Sequence, residues 1–370
     1  MSKLRIAIPI HSFEPGGVER VALNLASAWQ AEGLEVKVLL GRDAGAMRGI
    51  APQLDYVRHR EPVPTAAWET IWMIWLAWRW LRVTKVDVLF LAGNTYSVVG
   101  AALRLLLGRR CPPMVIKISN DLERRDLPAP ARWAYHRWLR IQGRLFDRFV
   151  GMAPPMHAEI AGAMKVRNKA IAIIEDPSLE LAQRDALTAI QRTGDLPREP
   201  NYIAVGRLSG QKNFALLLRA FARLEDPAAR LVIVGEGADR SRLERLAAQL
   251  GIAQRVSLPG HCDPAPHLAA ASVFVMSSDY EGVPAVIVEA LAAGLPIAGT
   301  DCSVSMRALT GEGAFARLVP PRDEAALGRA MGDVLTMPFD PKAARRSTEP
   351  LTVPAAAARY RALFEVMAAA

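Results

Sequence analysis

The residues best suited to chemistry in this sequence surround a turn between a predicted strand and a predicted helix. The apolar run Val273–Met276 is short and rich in β-branched and aromatic residues, which predicts a buried parallel strand. Pro284 suits the first position of a helix, because its missing N–H would have no partner there. The amides of Gly282 and Val283 would then lie at the helix N-terminus, where backbone donors and the helix dipole favour an anion.

Two carboxylates frame this turn. Glu281 lies in the turn itself, and Glu289 is the only charged residue between Val283 and Pro296. A lone carboxylate on so apolar a helix needs hydrogen-bond donors. The spacing alone leaves two interpretations open. Either both glutamates contact a ligand, or Glu281 is a solvated turn residue and Glu289 pairs with a neighbouring arginine.

The pattern EGxPxxxxEAxA, which begins at Glu281, resembles the signature of the retaining GT-B glycosyltransferases of family 4. Residues 205–213, with Arg207 and Lys212, are similar to the diphosphate clamp of that family. The resemblance is strong from about Tyr202 to Leu327 and looser in the first half. It implies an α/β fold of the GT-B type, with two Rossmann-like domains whose parallel sheets face across a cleft. It also implies a C-terminal helix that crosses back to the first domain.

The resemblance implies roles for the residues that match. Glu281 would contact the donor sugar, and Glu289 would hold the nucleotide ribose. Arg207 offers a planar fork and Lys212 a point charge, both suited to phosphate oxygens. Stabilising the leaving diphosphate in this way is worth on the order of several kcal/mol. The alternative for both cations is solvated turn charge. The sequence contains no Asp-x-Asp pattern, so we expect neither a metal nor a cofactor.

The first half carries two weaker signals. Gly16 and Gly17 separate a predicted strand, Leu4–Ile10, from a predicted helix, and such a pair lets the backbone approach a ligand. An ordinary tight turn accounts for the pair equally well, but the resemblance implies that it lies over the donor diphosphate. Asn120 and Asp121 follow another strand at its carboxyl end, where ligands collect in open α/β sheets.

Asn120 occupies a position where many relatives carry histidine, so no general base is assumed there. Asn120 and Asp121 are candidates for orienting an acceptor hydroxyl. Residues 300–305 also depart from the proline and glycine that relatives often carry, which leaves the acceptor or sugar side of the site open. The motif Gly235-Glu236-Gly237 lacks the third glycine of a dinucleotide fingerprint, which excludes a nicotinamide enzyme.

Length and composition set the domain prediction. The chain has 370 residues, 51% of them hydrophobic, which predicts two folded domains rather than a disordered chain. Alternating strands and helices predict parallel, doubly wound sheets. The boundaries that we predict are an N-terminal acceptor domain, a linker, a C-terminal nucleotide-sugar domain and a crossover helix, at residues 1–177, 178–200, 201–350 and 351–370. In the last helix Tyr360, Leu363 and Phe364 would contact the first domain.

Charge and cysteine content bear on partners and location. Residues 1–185 carry eight of the nine net positive charges, which favours an anionic surface such as lipid headgroups or a phosphorylated acceptor. No nucleic-acid module accompanies the charge, so we predict no nucleic-acid partner. The tryptophan-rich segment from Trp68 to Arg82 predicts a helix that either lies on a membrane or packs into the core. Three scattered cysteines and the absence of a signal peptide predict a cytoplasmic protein, with or without peripheral attachment to the inner face of the plasma membrane.

The function that these features predict is retaining transfer of a sugar from a nucleotide-diphosphate sugar, UDP above all. The acceptor would be a hydroxyl of a glycan, lipid or lipid-linked molecule in cell-envelope polysaccharide or glycolipid synthesis. Two alternatives remain: a nucleotide-sugar binder or partner subunit without catalytic activity, and a GT-B epimerase that acts on the nucleotide sugar alone.

Overall fold

The computed structural model describes residues 3–119, 122–124, 128–190 and 199–369. The chain divides into two compact units. The first comprises residues 1–177 together with 353–370, and the second comprises residues 178–352. Each unit contains one sheet in which every paired strand is parallel.

The first unit is built on a seven-stranded sheet in the order β3-β2-β1-β4-β5-β6-β7. Its central strands are buried from end to end, as expected for a parallel sheet covered on both faces. The strands are β1 Arg5–Ile10, β2 Glu35–Leu40, β3 Asp55–Arg58, β4 Val88–Leu91, β5 Met114–Lys117, β6 Arg148–Gly151 and β7 Ile171–Ile173. The helices between them are α1 Gly17–Ala31, α2 Glu69–Leu81, α3 Ser97–Leu107, α4 Ala129–Leu145 and α5 Met156–Met164.

The second unit contains a six-stranded sheet in the order β10-β9-β8-β11-β12-β13. Its strands are β8 Asn201–Val205, β9 Arg230–Val234, β10 Val256–Gly260, β11 Val273–Met276, β12 Ile297–Thr300 and β13 Ala316–Val319. Its helices are α6 Leu181–Thr188, α7 Phe214–Ala222, α8 Arg240–Gln249, α9 Ala265–Ala270, α10 Ala285–Ala292, α11 Met306–Leu309, α12 Glu324–Asp333 and α13 Pro341–Ser347. Part of the segment expected to be a linker is therefore helix α6, whose Leu187 is buried in the core of this unit.

The last helix, α14 (Val353–Ala368), belongs to the first unit. Its Tyr360 and Phe364 are fully buried against Trp29 of α1. The indole N–H of Trp29 donates to the carbonyl of Ala357 over 3.0 Å. The predicted return of the C-terminal helix to the first unit is confirmed, and Leu363 packs at the margin of the same core.

Helix α2 divides its tryptophans between core and surface. Trp72 is buried and donates its indole N–H to the carbonyl of Gly41 over 2.8 Å, whereas Trp75 stacks on Trp72 from the exposed side. Of the two interpretations left open for this segment, packing into the core holds for Trp72, whereas Trp75 lies at the surface. In the part of the chain that the structure describes, no helix combines the length and the apolar content needed to cross a bilayer.

Candidate functional site

The turn between β11 and α10 has the predicted order of strand, polar turn and helix. Strand β11 is fully buried and lies between β8 and β12. Helix α10 begins at Ala285, one residue later than expected, because Pro284 has an extended ψ of 104° and serves as the N-cap. Gly282 and Val283 therefore precede the helix, with their amides close to its N-terminus.

Lys212 and Glu281 form an ion pair, with 2.6 Å between Nζ and Oε1. Their side chains are only 19% and 11% exposed. The interpretation of Glu281 as a solvated turn residue is therefore wrong. A carboxylate buried to this extent needs a cation or donors, and Lys212 supplies the cation. The sequence identified both residues, but it did not indicate that they pair with each other.

The loops that carry these two charges are fastened together along their length. Asp279 donates its backbone N–H to the carbonyl of Gln211 over 2.9 Å, and the Gln211 amide donates to the carbonyl of Tyr280 over 3.0 Å. The Ser277 hydroxyl donates to the carbonyl of Lys212 over 2.9 Å. Several hydrogen bonds therefore set the separation of Lys212 and Glu281, in addition to their own attraction.

Asp279 is a residue that sequence reasoning missed. Its Oδ1 accepts from the Asn213 amide at 2.9 Å, and its Oδ2 accepts from Nε and Nη2 of Arg322 at 3.0 and 2.8 Å. Arg322 has a positive φ of 64°, which is unusual for a residue other than glycine. Asp279 thus ties three loops that follow β8, β11 and β13. No local pattern links residues so far apart in the chain.

Arg207 is exposed in the loop after β8, and it forms no ion pair with the residues that the structure describes. The loop is held from the neighbouring strand, because Gly206 donates to the carbonyl of Val234 and Leu208 to that of Glu236. A Cβ at Gly235 would collide with the carbonyl of Gly206. The Gly-Glu-Gly motif therefore allows two backbones to approach closely in support of the loop of Arg207.

Residues 300–305, which depart from the family pattern, contact the same turn. The hydroxyls of Ser303 and Ser305 both donate to the carbonyl of Gly282, over 2.9 and 2.7 Å. They also lie 2.8 Å from each other. The two serines thus hold the Gly282 carbonyl from one side, and this fixes the orientation of the peptide that leads into α10.

Glu289 lies on α10, half-buried, at some distance along the helix from the Lys212–Glu281 pair. Its Oε1 accepts a hydrogen bond from the Gln183 amide of α6 at 3.1 Å. Gln183 lies in the segment that was expected to be a linker, so no sequence pattern connected the two residues. The contact orients the carboxylate that the family resemblance assigns to the ribose.

In the first unit, Gly16 and Gly17 stand at the start of α1. A Cβ at Gly16 would collide with the carboxylate of Glu19, so a larger residue there would displace that side chain. Glu19 accepts a hydrogen bond from the Tyr96 hydroxyl at 2.9 Å, and that hydroxyl accepts the backbone N–H of His11 at 3.0 Å. Gly16 therefore lies against a hydrogen-bonded corner that also contains the end of β1.

His11 is buried directly after β1, and its ring stacks on Tyr96 with 4.7 Å between ring centroids. Its Nε2 has no hydrogen-bond partner among the described residues. Burial lowers the pKa of His11, although Glu69 and Glu19 act in the opposite direction. The ring is thus held in its neutral form. No motif in the sequence pointed to His11.

The acceptor candidates Asn120 and Asp121 lie outside the described residues. Their neighbour Ser119 donates its backbone N–H to the Asn94 side chain over 3.0 Å. Lys117, at the end of β5, is buried in an ion pair with Asp176. The carboxyl edge beside the two candidates is therefore well organised by polar contacts.

Two family models match the chain. The one described as Glycosyltransferase Family 4 matches residues 15–176, and the one described as Glycosyl transferases group 1 matches residues 199–337. Together they span most of the sequence. The chain belongs to the family 4, or group 1, glycosyltransferases that these two models describe. The two parallel sheets have the GT-B architecture, as the motifs predicted.

Some curated relatives match only a part of this glycosyltransferase, and another matches most of it. It is 41% identical over 108 residues to the lipopolysaccharide core biosynthesis glycosyltransferase LpsE of Rhizobium meliloti, which is 29% of this chain and 31% of that protein. A glycosyltransferase of Methanocaldococcus jannaschii is 37% identical over 109 residues, with 27% of its own length covered. The chain thus spans less than a third of the length of these two relatives.

One relative is similar over nearly the whole chain. The N-acetylgalactosamine-N,N'-diacetylbacillosaminyl-diphospho-undecaprenol 4-alpha-N-acetylgalactosaminyltransferase of Campylobacter jejuni is 24% identical over 357 residues, with 90% of each chain covered. Among solved structures, the lipopolysaccharide outer core galactosyltransferase WaaB has a TM-score of 0.76 at 16% identity, covering 98% of this chain and all of its own. HepE of Anabaena in complex with UDP has a TM-score of 0.75 at 16% identity, with 99% and 100% covered. These structural likenesses establish the fold alone.

Proposed function

We propose that this glycosyltransferase moves a sugar from a UDP-sugar to an acceptor hydroxyl with retention of anomeric configuration and without a metal ion. The observation that carries the proposal is the Lys212–Glu281 pair, held by fastened loops at the carboxyl edge of the second sheet. Ligands of open α/β sheets bind at this edge. An arginine, a lysine and a helix N-terminus together suit a diphosphate.

Each residue of this edge receives a role in the proposal. Arg207, which is exposed, and Lys212 bind the diphosphate oxygens and stabilise the charge that develops as the nucleotide leaves. The amides of Gly282 and Val283 add donors at the start of α10. Glu281 accepts hydrogen bonds from hydroxyls of the donor sugar. Since these groups neutralise the diphosphate, a metal ion has no required part in the step.

The remaining assignments complete the donor and acceptor sides. Glu289, oriented by Gln183, accepts hydrogen bonds from the ribose hydroxyls. In the first unit, Gly16 and Gly17 bring backbone amides to the donor diphosphate. Asn120 and Asp121 orient the acceptor hydroxyl. The buried thiols take no part, because burial raises the pKa of Cys302 to about 12 and keeps it protonated.

The acceptor that we favour is a lipid or lipid-linked glycan of the cell envelope, reached from the cytoplasm. The Campylobacter jejuni relative acts, by its name, on an undecaprenol-linked diphospho-sugar, and the Rhizobium meliloti relative takes part in lipopolysaccharide core synthesis. The basic first half of the chain would also favour an acceptor that carries a diphosphate.

The test begins with UDP binding, measured by calorimetry for the wild type and for Arg207→Ala. We expect the substitution to weaken binding about 10- to 100-fold, the range for a hydrogen bond to a charged group. Arg242→Ala is the matched control, since Arg242 is an exposed arginine on α8 of the same unit. Unchanged UDP affinity in Arg207→Ala would rule out the clamp.

Turnover then separates the proposal from its alternatives. We expect UDP to be released slowly from a UDP-sugar in water and faster with a lipid extract as acceptor, with or without a chelator. A binder without catalytic activity would release no UDP, and an epimerase would convert the sugar while leaving it attached to UDP. Dependence of the release on added magnesium or manganese would contradict metal-independent transfer.

A further inference from the structure

Exposed apolar side chains concentrate on three consecutive helices of the first unit. Helix α2 packs beside α3, and α3 beside α4. Among the described residues, seven of the fourteen exposed large hydrophobic side chains lie on these helices. They are Ile71 and Trp75 on α2, Val98, Leu105 and Leu106 on α3, and Trp133 and Ile141 on α4. Scattered single residues of this kind are ordinary, but a concentration on one helical layer indicates an interaction surface.

The same three helices are strongly cationic. Together they contain six arginines, of which Arg104 is paired with Asp147, and one carboxylate, Glu69, which is paired with Arg42 at 3.1 Å. Helix α4 alone has four arginines and no acidic residue. Charge on an ordinary solvated helix is usually mixed in sign, because opposite charges at i and i+4 stabilise it. The partner of this surface must therefore be anionic as well as apolar.

Helix α4 shows most clearly how the two properties are combined. Its exposed stripe runs along one side of the helix and consists of Trp133, Arg137, Arg140, Ile141 and Arg144. Trp133 is 69% exposed and Ile141 is 41% exposed. Leu139 and Gln142 lie on the opposite, buried side. A helix with tryptophan and isoleucine flanked by arginines has the composition of one that lies in a membrane interface.

We propose that the outer face of α2, α3 and α4 docks on an anionic lipid bilayer. The apolar side chains would enter the boundary between headgroups and acyl chains, while the arginines contact lipid phosphates. A second copy of the chain fits less well, because two such cationic faces repel each other.

The docking has a consequence for the acceptor. Helix α4 follows β5, so its N-terminus lies at the carboxyl edge of the first sheet, where ligands of parallel sheets bind. A bilayer on the outer face of α4 would bring a lipid-linked acceptor to that edge. This consequence rests on the proposed function, whereas the docking itself does not.

The test is co-sedimentation with vesicles of phosphatidylcholine alone and of equal parts phosphatidylcholine and phosphatidylglycerol. We expect sedimentation only with the anionic vesicles, and we expect it to decline at high salt because salt screens the contacts of the arginines with lipid. A protein that stays in the supernatant with anionic vesicles at low salt would overturn the proposal. Equal binding to both vesicle types would overturn the role of the arginines.

Two variants locate the surface. Arg137→Glu combined with Arg140→Glu should lower the vesicle partition coefficient at least about tenfold, and Trp133→Ser should lower it about tenfold. Lys169→Glu and Val366→Ser are the matched controls, since both residues are exposed in the same unit on elements other than the three helices. We expect the controls to change partitioning by about twofold at most. Equal losses in variants and controls would overturn the assignment to this face.

Folding and self-association of the variants are measured alongside vesicle binding. Circular dichroism melting checks that each variant folds, and sedimentation velocity checks self-association. A concentration-dependent dimer that Trp133→Ser dissociates, without vesicle binding, would overturn the proposal in favour of a second copy. UDP binding is measured on the same preparations. For the wild type, absence of vesicle binding with intact UDP binding defeats the docking alone, and vesicle binding without UDP binding defeats the proposed function alone.

Discussion

The carboxyl edges of the two sheets differ in how they use charge. In the second unit, Lys212 pairs with Glu281 and Arg322 pairs with Asp279, both on loops at that edge. In the first unit, the corresponding edge of β1 holds His11 and Tyr96, a buried ring pair that burial keeps uncharged. The second edge thus pairs cations and carboxylates between its loops, whereas the end of β1 encloses neutral rings, with the Lys117–Asp176 ion pair at the end of β5.

This difference matches the chemistry expected for the two substrates, a charged donor and a neutral acceptor hydroxyl. A diphosphate carries charge in every donor, so a cationic site with fastened loops serves any nucleotide sugar. An acceptor hydroxyl is neutral, and its recognition depends on shape and a few hydrogen bonds. The diphosphate side is therefore easier to recognise in a sequence, whereas the acceptor side is where specificity would differ between relatives.

The largest loss of activity is expected when the positive charge at position 212 is removed. Lys212→Ala should lower sugar transfer by about 100- to 1,000-fold, because the leaving diphosphate loses a positive charge. Transfer is measured as UDP release with a saturating donor. Lys212→Arg, which keeps the charge, should retain much more activity, and Lys169→Ala in the first unit controls for the loss of a surface lysine.

Lys212→Ala also leaves Glu281 without its cation, so its folding must be checked. A melting curve close to that of the wild type would assign the loss to the missing contact with the diphosphate rather than to unfolding. Transfer within a few-fold of the wild type in a folded Lys212→Ala protein would contradict the role of the lysine.

Substitutions of Glu281 and Glu289 should impair different steps. Glu289→Gln should weaken free UDP binding about 10- to 100-fold, since the ribose belongs to UDP itself. Glu281→Gln should leave UDP binding unchanged and lower transfer by a similar factor, since its proposed partner is the sugar. Calorimetry with UDP and the release assay measure the two effects separately. Equal loss of UDP affinity in both variants would show that the roles are wrongly assigned.

The sequence predicted the features of this site that depend on neighbouring residues, but not those that depend on residues far apart in the chain. The strand, turn and helix around Glu281 were predicted correctly, because Gly282 and Pro284 punctuate the chain within a few residues. The pairing of Lys212 with Glu281 was not predicted, since it depends on two loops that meet only when β8 and β11 lie side by side. Asp279 was missed for the same reason.

The periodicity of the sequence also could not predict which face of a helix is buried. Tryptophans of α2 three and four residues apart share a helical face, but the pattern could not say which face meets the sheet. The structure buries Trp72 and exposes Trp75. The sequence showed the net positive charge of residues 1–185, whereas the exposed stripe of α4 with Trp133 depends on packing against the neighbouring helices.

The smallest expected effect is a change in stability with pH, caused by the buried ring of His11 at the end of β1. Burial lowers the pKa of His11 below its usual value of 6.5. The unfolded chain therefore binds a proton more readily than the folded one as the pH falls through that value. Stability from the neutral ring is fully present above about pH 6.5 and is lost as the pH falls towards the lowered pKa of the folded state. Glu69 and Glu19 lessen this dependence, and Arg42 adds to it.

Urea unfolding of the wild type and of His11→Gln between about pH 7.5 and about pH 5.5 measures the contribution. The free energy of unfolding of the wild type should fall more steeply with acid, so the difference between the two proteins should shrink by at most about 1.4 kcal/mol per pH unit. His136→Gln, at a half-buried position on α4, controls for the substitution itself. If the difference grew as the pH fell, His11 would be stabilised in its protonated form, and the end of β1 would carry a charge after all.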